Sequence, residues 1–299
     1  MKAMILAAGL GTRLRPLTDV CPKPLVPVAN RPVLAGTIAY LRRHGIRSIV
    51  VNTHHHARRM SEFLRQGQGF GVPVELRHEP SILGTGGGIR NVADFWGRDT
   101  LLAINGDILT DIDLGEALAF HRSSGAPATL VLHRCPPFDQ IVLDDAGRVR
   151  EIGSRARPGR VAFTGIHFLE PAVRDWIPRD GFSDIVGCYR RMIASGEPIA
   201  GYLADRPYWR DIGTRESYLQ ANREQSPEPV LLGPGCDVAP SAAVSDWAVV
   251  GPGCRLEARS AVVRSVLWEG VTVREGVRVV DSVVTSGRSV ERNLAGEAL

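Results

Sequence analysis

Two patterns in this 299-residue sequence predict an α/β protein, with a Rossmann-like, doubly wound mixed sheet followed by a short left-handed parallel β-helix. Strand-like and helix-like segments alternate through most of the chain, which favours a largely parallel sheet covered by helices. After Pro227 and Pro229, apolar residues instead recur every six positions. We therefore predict two domains, at residues 1–225 and at residues 226–299 with a polar C-terminal tail.

The elements of the first domain follow from local residue patterns. Apolar and β-branched runs predict strands at residues 5–8, 46–53, 72–79 and 100–107. Apolar residues at helical spacing predict helices at residues 57–67, 113–125, 171–177 and 184–195. A further helix is predicted to end at about residue 222, and another to have Pro32 in its first turn. Residues 81–92 predict a glycine-rich loop leading into a helix. The strand-rich region 128–169 predicts a partly antiparallel extension that forms a second wall for an acceptor substrate.

The second domain is predicted from its period. The apolar positions spaced by six are Leu232, Val238, Val244, Val250, Leu256 and Val262. Such a hexapeptide repeat, with three repeats per turn, is typical of a parallel β-helix. The phase slips after Val262 and resumes at Leu267, so one corner is expected to bulge. About three coils fit, and a stack this short is expected to form a homo-oligomer that covers its end.

Composition narrows the class of protein. The formal charge of +4 and pI near 9.0 suit anionic small molecules, while no basic run or basic-aromatic stripe indicates nucleic acid. No apolar stretch reaches the roughly 18 residues of a membrane span. The first apolar run stops at Gly9 without a cleavage site, so a cytoplasmic location is expected. The five cysteines contain no C-x-x-C pair and predict neither a zinc site nor a disulfide framework.

The segment from residue 5 to residue 28 predicts a phosphate-binding loop. A buried strand leads into Gly9, Gly11 and Thr12, where a sharp turn lets several backbone N–H groups face one anion. Arg13 adds positive charge beside the turn. A dinucleotide fingerprint would need a third glycine, and a P-loop would need a Gly-Lys-Ser/Thr ending, so neither motif fits.

Lys23 and Asp107 extend this prediction. The chain has 36 lysines and arginines, of which only Lys2 and Lys23 are lysines, and Lys23 lies between two prolines. This pattern suggests that a compact point charge on a flexible stem is needed there. Asp107 ends a predicted strand, and ligands of such sheets bind beyond the C-terminal strand ends. The two glycine segments and Asp107 are therefore expected to form one site.

These motifs together resemble a known family. GLGTRLRPLT followed by PKPLVPV closely resembles the signature of sugar-1-phosphate nucleotidyltransferases, and the resemblance continues in order through LGTGGGI, NGD, FTGI and WRDIGT, over roughly residues 1–222. An appended β-helix is found in several branches of that family. The resemblance implies the nucleotide-diphospho-sugar transferase fold and the reaction of an NTP with a sugar 1-phosphate, which gives an NDP-sugar and pyrophosphate.

The resemblance also implies roles for charged residues. Arg13 would contact the departing pyrophosphate, and Lys23 would stabilise charge around the α-phosphate. Asp107, the third implied catalytic residue, and Asp211 match the two aspartates that hold Mg²⁺ in the family. Carboxylates, substrate oxygens and water suit this ion. A sugar phosphate is already ionised near neutral pH, so no general base is required and catalysis rests on positioning and charge stabilisation.

The implied binding residues cover both substrates. Those for the nucleotide are Ala8, Gly9, Gly11, Thr12, Arg13, Gly84, Thr85 and Gly86. Those for the sugar phosphate are Glu151, Thr164 and Gly165. Many members have Glu-Lys-Pro at the position of Glu151, whereas this chain reads EIGSRARPGR. Arg155 or Arg157 replaces the contact of the lysine, or that contact is missing and both arginines lie in a solvated loop.

The histidines are not predicted to carry chemistry. His54, His55 and His56 follow one another at a strand end, where consecutive side chains point to opposite faces, so a structural or rim role is favoured over a metal site. All eight histidines lie at or before His167, so the repeat region has no histidine of its own for acyl transfer. Assembly is its predicted task.

Three functions are open at this point. The β-helix resembles mannose-1-phosphate guanylyltransferases, which favours GDP-mannose as the product. The short LGTGGGI loop and the missing Glu-Lys-Pro resemble uridylyltransferases acting on N-acetylmuramate 1-phosphate, with another hexose 1-phosphate as a variant. A regulatory subunit that binds a nucleotide-sugar without catalysis is the alternative of a different class. Retention of Arg13, Lys23, Asp107 and Asp211 together argues against it.

Overall fold

The chain divides into two compact units. The computed structural model describes residues 1–66, 70–204 and 206–299. The first unit comprises Met1–Gly9 and Thr37–Trp209, and the second comprises Leu10–Gly36 and Arg210–Leu299. Within the described ranges, no helix has both the length and the apolar character needed to cross a membrane.

Helices and strands alternate before residue 226, and strands alone follow it. The α-helices are α1 (Leu17–Val20), α2 (Val33–Arg43), α3 (Ala57–Gln66), α4 (Gly84–Asn91), α5 (Ala93–Trp96), α6 (Leu114–Ser124), α7 (Ile185–Ala194) and α8 (Arg215–Gln225). Short 3₁₀ helices lie at Thr12–Leu14, Lys23–Leu25, Pro136–Phe138 and Pro171–Trp176. The strands up to α8 are β1 (Lys2–Leu6), β2 (Pro27–Val28), β3 (Arg31–Pro32), β4 (Ile49–Thr53), β5 (Val74–His78), β6 (Leu101–Asn105), β7 (Ile108–Thr110), β8 (Ala128–His133), β9 (Ile141–Leu143), β10 (Val149–Ile152), β11 (Ala162–Leu169), β12 (Ile199–Leu203) and β13 (Trp209–Asp211).

The first unit is built on one mixed sheet. Its strand order is β12-β8-β11-β6-β1-β4-β5, with β11 antiparallel to both of its neighbours and the other pairs parallel. Strands β1, β4 and β6 are almost entirely buried, as expected for central parallel strands. The predicted mixed α/β fold is confirmed.

Two local predictions for the start of elements are wrong. The glycines from Gly84 to Gly88 lie inside helix α4 and not in a loop. Close packing explains why they are glycines, because a Cβ at Gly88 would lie 2.8 Å from Asn52 Nδ2. Pro32 lies before helix α2 because it belongs to β3, which pairs with β2 in a tight antiparallel hairpin. The predicted helix end at Gly67 lies outside the described residues.

The strand-rich region 128–169 is divided between two sheets. Strands β8 and β11 are nearly continuous buried apolar runs, so they join the main sheet. Only β9 and β10 form a separate antiparallel pair. The prediction of antiparallel strands is confirmed, but half of the predicted extension is part of the central sheet.

The second unit contains a stack of parallel strands that forms a β-helix. Its strands are β14 (Val230–Leu232), β15 (Asp237–Val238), β16 (Ala243–Val250), β17 (Arg255–Leu256), β18 (Ala261–Leu267), β19 (Thr272–Val273), β20 (Arg278–Val280), β21 (Val283–Val284), β22 (Ser289–Val290) and β23 (Leu294–Ala295). In one sheet, Val238 is opposite Leu256, which is opposite Val273. Buried valines and leucines from successive coils form the core of this stack.

The change of phase after Val262 has a structural counterpart. The register between β16 and β18 shifts by one residue between Ser245 and Ala248. Asp246 and Arg264 take left-handed backbone conformations at this point, with φ of 60° and 46°. Arg264 forms ion pairs with Asp246 in one coil and Asp281 in another. A bulge is therefore present where the repeat slips.

Candidate active site

In the first unit, a buried hydrogen-bond network holds the start of the first glycine turn. Strand β1 ends at Leu6, and the backbone N–H of Ala7 donates to Asn52 Oδ1 at 2.7 Å. Asn52 Nδ2 in turn donates to Glu79 Oε1 at 2.7 Å. Asn52 and Glu79 are both almost fully buried. A buried amide and carboxylate that satisfy each other fix the exit of β1 in one place.

The same carboxylate reaches the second glycine segment. The backbone N–H of Leu83 donates to Glu79 Oε2 at 3.3 Å, just before helix α4 begins. One side chain thus connects the two glycine segments through its two oxygens. Asn52 and Glu79 were not predicted as site residues. The position of Asn52 within the otherwise apolar start of β4 could have indicated a buried polar contact.

Residues 183–185 hold the second glycine segment in place through hydrogen bonds. The backbone N–H groups of Gly86 and Gly87 donate to Ser183 O at 2.8 and 3.1 Å. The Thr85 hydroxyl donates to Asp184 Oδ1 at 3.1 Å and accepts from the backbone N–H of Ile185 at 3.0 Å. Thr85 and Gly86, two of the predicted nucleotide-binding residues, are therefore held by α7 and the residues just before it.

Gly84 lies at the tightest point of this contact. It has a φ of +74°, and a Cβ there would lie 2.5 Å from Ser183 O and 2.9 Å from the Phe182 ring. Both the left-handed backbone and the lack of space require glycine. The Phe182 side chain is 70% exposed, so a solvent-accessible aromatic ring lies next to the predicted nucleotide-binding segment.

Asp107 lies just beyond the C-terminal end of β6. Strand β6 pairs in parallel with β1, with Asn105 opposite Leu6, and the N–H of Gly106 donates to Leu6 O at 2.9 Å. The structure therefore places Asp107 at the strand edge from which the Ala7 segment leaves β1. This is the arrangement expected for ligand sites in open α/β sheets.

Thr164 and Gly165 form a bulge on β11 beside the end of β6. The register with β8 shifts between Phe163 and His167, and a Cβ at Gly165 would lie 2.5 Å from Asn105 Nδ2. The buried Thr164 hydroxyl donates to Val131 O at 2.7 Å. The Thr164 side chain thus stabilises the bulge, and Gly165 packs against the strand that carries Asp107.

Glu151 pairs with an arginine that the sequence analysis missed. Its two carboxylate oxygens lie 3.0 and 3.1 Å from Arg160 Nη1 and Nη2, respectively. Arg160 also donates to Gln140 O at 3.2 Å, and its side chain is only 12% exposed. Arg155 and Arg157, the two predicted replacements for the lysine, are both exposed. Arg160 lies nine positions after Glu151 in the sequence, and this spacing gives no indication that the two side chains pair.

In the second unit, the glycine turn packs against Lys23. Gly11 has a φ of 65°, and the N–H of Leu14 donates to Gly11 O at 2.9 Å to close the 3₁₀ turn that contains Thr12 and Arg13. A Cβ at Gly11 would lie 2.8 Å from Thr18 Cγ2 and 3.4 Å from Lys23 Cβ. Lys23 itself begins a second 3₁₀ turn.

Asp211 lies in the same unit, close to Arg13. Asp211 Oδ2 is 4.0 Å from Arg13 Nη2, with the Arg13 side chain 62% exposed and that of Asp211 22% exposed. The N–H of Gly213 donates to Asp211 Oδ1, and the Ser217 hydroxyl donates to Asp211 O. The second unit thus gathers Arg13, Asp211 and, through Gly11, Lys23. This set provides two cations and a carboxylate, the charges needed to bind a phosphate chain and a metal ion.

The histidine run does not form a metal centre. His54 Nδ1 lies 2.8 Å from Glu79 O, and the rings of His55 and His56 are 3.9 Å apart. Throughout residues 1–66, 70–204 and 206–299, no three His, Cys, Asp or Glu side chains form a group that could hold a metal ion.

Comparison with known proteins points to one family. The model of the family described as "Nucleotidyl transferase" matches residues 2–227. A UTP–glucose-1-phosphate uridylyltransferase of Synechocystis is 30% identical, over 98% of this chain and 89% of that protein. A mannose-1-phosphate guanylyltransferase of Mycobacterium tuberculosis is 32% identical, over 92% of this chain and 81% of that protein.

A solved structure is similar to most of the chain. The crystal structure of HddC from Yersinia pseudotuberculosis aligns with a TM-score of 0.65 and 23% sequence identity, over 75% of this chain and 98% of that one. At this identity the similarity concerns the fold alone.

Proposed function

This chain belongs to the nucleotidyl transferase family and is a sugar-1-phosphate nucleotidyltransferase, and we propose that it joins GMP from GTP to mannose 1-phosphate. A phosphate oxygen of the sugar 1-phosphate attacks the α-phosphorus of the nucleotide. The bond from that phosphorus to the oxygen bridging to the β-phosphate breaks, and pyrophosphate leaves with the electron pair. The products are GDP-mannose and pyrophosphate.

The observation that carries the mechanism is the group of charges in the second unit. Arg13 lies 4.0 Å from Asp211, and Lys23 packs on the same glycine turn. In the proposal, the Arg13 guanidinium holds the departing pyrophosphate. The Lys23 ammonium stabilises the negative charge that develops around the α-phosphate. Positioned charges of this kind are a main source of catalysis in phosphoryl transfer.

Nucleotidyl transferases of this family generally use a divalent metal ion, and we propose Mg²⁺ held by Asp107 and Asp211. Carboxylate oxygens are the ligands that Mg²⁺ prefers, and it is normally bound by one or two carboxylates together with substrate phosphates and water. A pair of aspartates supplies the number and type of protein ligands that this mode needs. When bound, the ion would neutralise charge on the phosphate oxygens.

The choice of mannose and guanine is supported by sequence identity, which is 32% to the mannose-1-phosphate guanylyltransferase and 30% to the UTP–glucose-1-phosphate uridylyltransferase. The mannose-1-phosphate guanylyltransferase of M. tuberculosis matches 92% of this chain, which includes part of the β-helix beyond the family model. Uridylyl transfer to glucose 1-phosphate is a second candidate, because the Synechocystis relative matches 98% of the chain. Uridylyl transfer to N-acetylmuramate 1-phosphate is favoured instead by the glycine segment and by the missing Glu-Lys-Pro lysine.

A matrix of substrates decides between these candidates. Each NTP is combined with mannose, glucose, N-acetylglucosamine and N-acetylmuramate 1-phosphates in the presence of Mg²⁺, and release of pyrophosphate is measured. The proposal predicts the highest kcat/KM for GTP with mannose 1-phosphate. A higher value for UTP with either sugar would replace it. If no pair reacts while the protein binds a nucleotide-sugar, the regulatory function is correct.

The metal proposal has its own test. Activity is expected to vanish with a chelator and to return with added Mg²⁺. Asp107→Asn and Asp211→Asn should each raise the Mg²⁺ concentration needed for half-maximal activity. Calorimetric titration of Mg²⁺ with a non-hydrolysable NTP gives a second readout that does not depend on turnover. Unchanged Mg²⁺ dependence in both variants would remove the two aspartates from this role.

We also propose that the β-helix brings copies of the chain together and that the enzyme acts in the cytoplasm. A short stack of coils needs cover at its ends, and another copy of the chain can provide it. Light scattering coupled to size-exclusion chromatography should give a mass that is a multiple of 32.4 kDa. A mass equal to one chain over a range of concentrations would contradict this proposal.

A further inference from the structure

A hairpin in the second unit connects Lys23 to the rest of that unit. The 3₁₀ turn at Lys23 leads directly into β2, and β2 pairs with β3 across a turn in which Ala29 and Asn30 have φ of 47° and 61°. The N–H of Val33 donates to Val26 O at 3.2 Å and closes the base of the hairpin. The position of Lys23 therefore depends on what holds this hairpin.

Helix α8 holds the hairpin through two buried side chains. The Tyr218 hydroxyl donates to Pro27 O, and Asn222 Oδ1 accepts from the N–H of Ala29 at 3.0 Å. Tyr218 and Asn222 are fully buried, and Asn222 Nδ2 also donates to Tyr218 O at 3.0 Å. Burial raises the pKa of the Tyr218 phenol, so it keeps the proton that it donates.

The β-helix in turn holds Tyr218. Trp268 follows strand β18, and its indole Nε1 donates to the Tyr218 hydroxyl at 2.9 Å. An indole nitrogen can only donate, so the Tyr218 hydroxyl must accept this bond and give its own proton to Pro27 O. The backbone of Trp268 is itself part of the coil, because its N–H donates to Val284 O at 2.9 Å.

Two further contacts tie the same elements together. Asn30 Nδ2 donates to Val250 O at 2.9 Å, at the end of strand β16. Arg215, in the first turn of α8, donates to Gly296 O near the end of the chain. The hairpin and α8 therefore each contact the β-helix directly.

Helix α8 is also connected to Asp211, which ends strand β13 shortly before the helix begins. Thr214 caps the helix by accepting from the N–H of Ser217 at 3.2 Å, and Ser217 donates to the carbonyl of Asp211. Asp211 thus precedes the first turn of α8, while Tyr218, further along the same helix, supports the hairpin that follows Lys23. Helix α8 therefore contacts both the residue that carries the carboxylate and the hairpin that follows the ammonium.

We infer that Trp268 is a positioning residue for phosphate chemistry: through Tyr218 and Pro27, the β-helix sets the place of Lys23 relative to Asp211. This inference rests on the proposed roles of Lys23 and Asp211. It assigns to the β-helix a task within the active site in addition to assembly. Trp268 touches no reacting atom and acts only through the hydrogen bonds of α8 and the hairpin.

Kinetics of Trp268→Phe provide the first test. This change keeps an aromatic ring and removes the indole N–H. We expect kcat to fall about tenfold, because small misplacements of charge-stabilising groups are costly, while KM for both substrates changes less than about twofold. Trp247→Phe, in strand β16 outside this chain of hydrogen bonds, is the matched control and should retain wild-type kcat. An unchanged kcat in Trp268→Phe would contradict the inference.

A double-mutant cycle separates positioning from a general structural role. If Trp268 acts through Tyr218, Trp268→Phe should have no further effect on kcat once Tyr218→Phe is present. Independent structural effects would instead multiply, and that result would overturn the inference. Asn30→Gly, which keeps the left-handed turn and removes the donor to Val250 O, tests the parallel contact if either aromatic variant fails to fold. It should lower kcat in the same direction.

Hydrogen exchange gives a readout that does not depend on the proposed function. Amides of residues 22–33 should exchange faster in Trp268→Phe than in the wild type, whereas those of β1 and β6 should not change. Equal exchange of the hairpin would disprove the connection whatever the activity. Faster exchange with unchanged kcat would disprove only the catalytic consequence. Failure of the wild type to transfer any nucleotide would count against the proposed function and leave the exchange result intact.

Discussion

Asn52 and Glu79 share a buried hydrogen bond of 2.7 Å, and through it the two glycine segments of the first unit are connected. Asn52 accepts from Ala7 at the end of β1, and Glu79 accepts from Leu83 ahead of α4. Neither residue carries a role by resemblance. Their contacts determine where the backbone leaves the sheet, and hence where it can meet a nucleotide.

Asn52→Ala should therefore destabilise the protein and weaken nucleotide binding together. The change leaves the Ala7 N–H and a Glu79 oxygen buried without a partner, which should cost about 2–3 kcal/mol of unfolding free energy. Urea unfolding measures this loss, and KM for the NTP measures the effect on binding. Asn91→Ala is the control, since no hydrogen bond of that side chain is found among the described residues; its effect should stay within about 0.5 kcal/mol.

Gly84→Ala tests the second glycine segment. The new methyl group would lie 2.5 Å from Ser183 O in a backbone with φ of +74°, so the segment has to move. We expect KM for the NTP to rise at least about tenfold, the effect of losing roughly one good contact. Gly97→Ala isolates the backbone term, because Gly97 has a φ of +67° and nothing within 4 Å of the added carbon.

Gly84→Ala and Gly97→Ala should differ clearly in their KM for the NTP. Gly97→Ala should cost about 1–3 kcal/mol of stability, because its backbone conformation is unfavourable for alanine, and leave KM unchanged. Equal KM values in both variants would mean that the packing of Gly84 against Ser183 has no bearing on nucleotide binding.

Lys23→Ala should lower kcat at least about a hundredfold, the scale typical of losing one charge-stabilising group. Asp107→Asn should have an effect of similar size. Lys23→Arg tests whether a compact ammonium is needed, because a planar guanidinium keeps the charge but changes its geometry. The control is Lys2, the only other lysine, which lies in β1 and forms an ion pair with Asp99. Lys2→Arg should leave kcat unchanged. Near-wild-type kcat in Lys23→Ala would remove this residue from its assigned role.

His167 should make the fold sensitive to acid. It is 1% exposed on β11, with Nδ1 hydrogen-bonded to the Tyr189 hydroxyl, and burial lowers its pKa from 6.5 to about 3. The unfolded chain therefore binds this proton at a higher pH than the folded protein does. The resulting stability is fully present above pH 6.5 and is lost as the pH falls, by about 1.4 kcal/mol per pH unit.

His167→Phe removes this titration and keeps an aromatic ring. Between pH 6 and pH 4, its unfolding free energy should fall less steeply than that of the wild type, by about 1.4 kcal/mol per pH unit. Between pH 7.5 and pH 8.5, the two proteins should show the same slope. Parallel curves over the acid range would show that His167 does not titrate in this way.

Local sequence patterns were sufficient for much of the architecture. Buried strands such as β1 and β4 are apolar runs, and the coils of the β-helix repeat their apolar positions every six residues, so each pattern reflects the burial of that element. The bulge in the β-helix was also visible, because the spacing of five residues from Val262 to Leu267 interrupts the six-residue repeat. The pattern failed at α4, where glycines that suggest a loop lie in a helix and leave room for a neighbouring segment that packs closely on them.

The sequence by itself determined the type of chemistry, because the residue types around the glycine turn carry the charges that phosphate transfer needs. Tertiary structure alone decided how those residues are held. The bond from Asn52 to Glu79, the pairing of Glu151 with Arg160 and the support of Pro27 by Tyr218 and Trp268 join positions far apart in the chain. The spacing of these residues in the sequence follows no repeat, so no local pattern predicts the contacts. Only folding brings their atoms within hydrogen-bond distance.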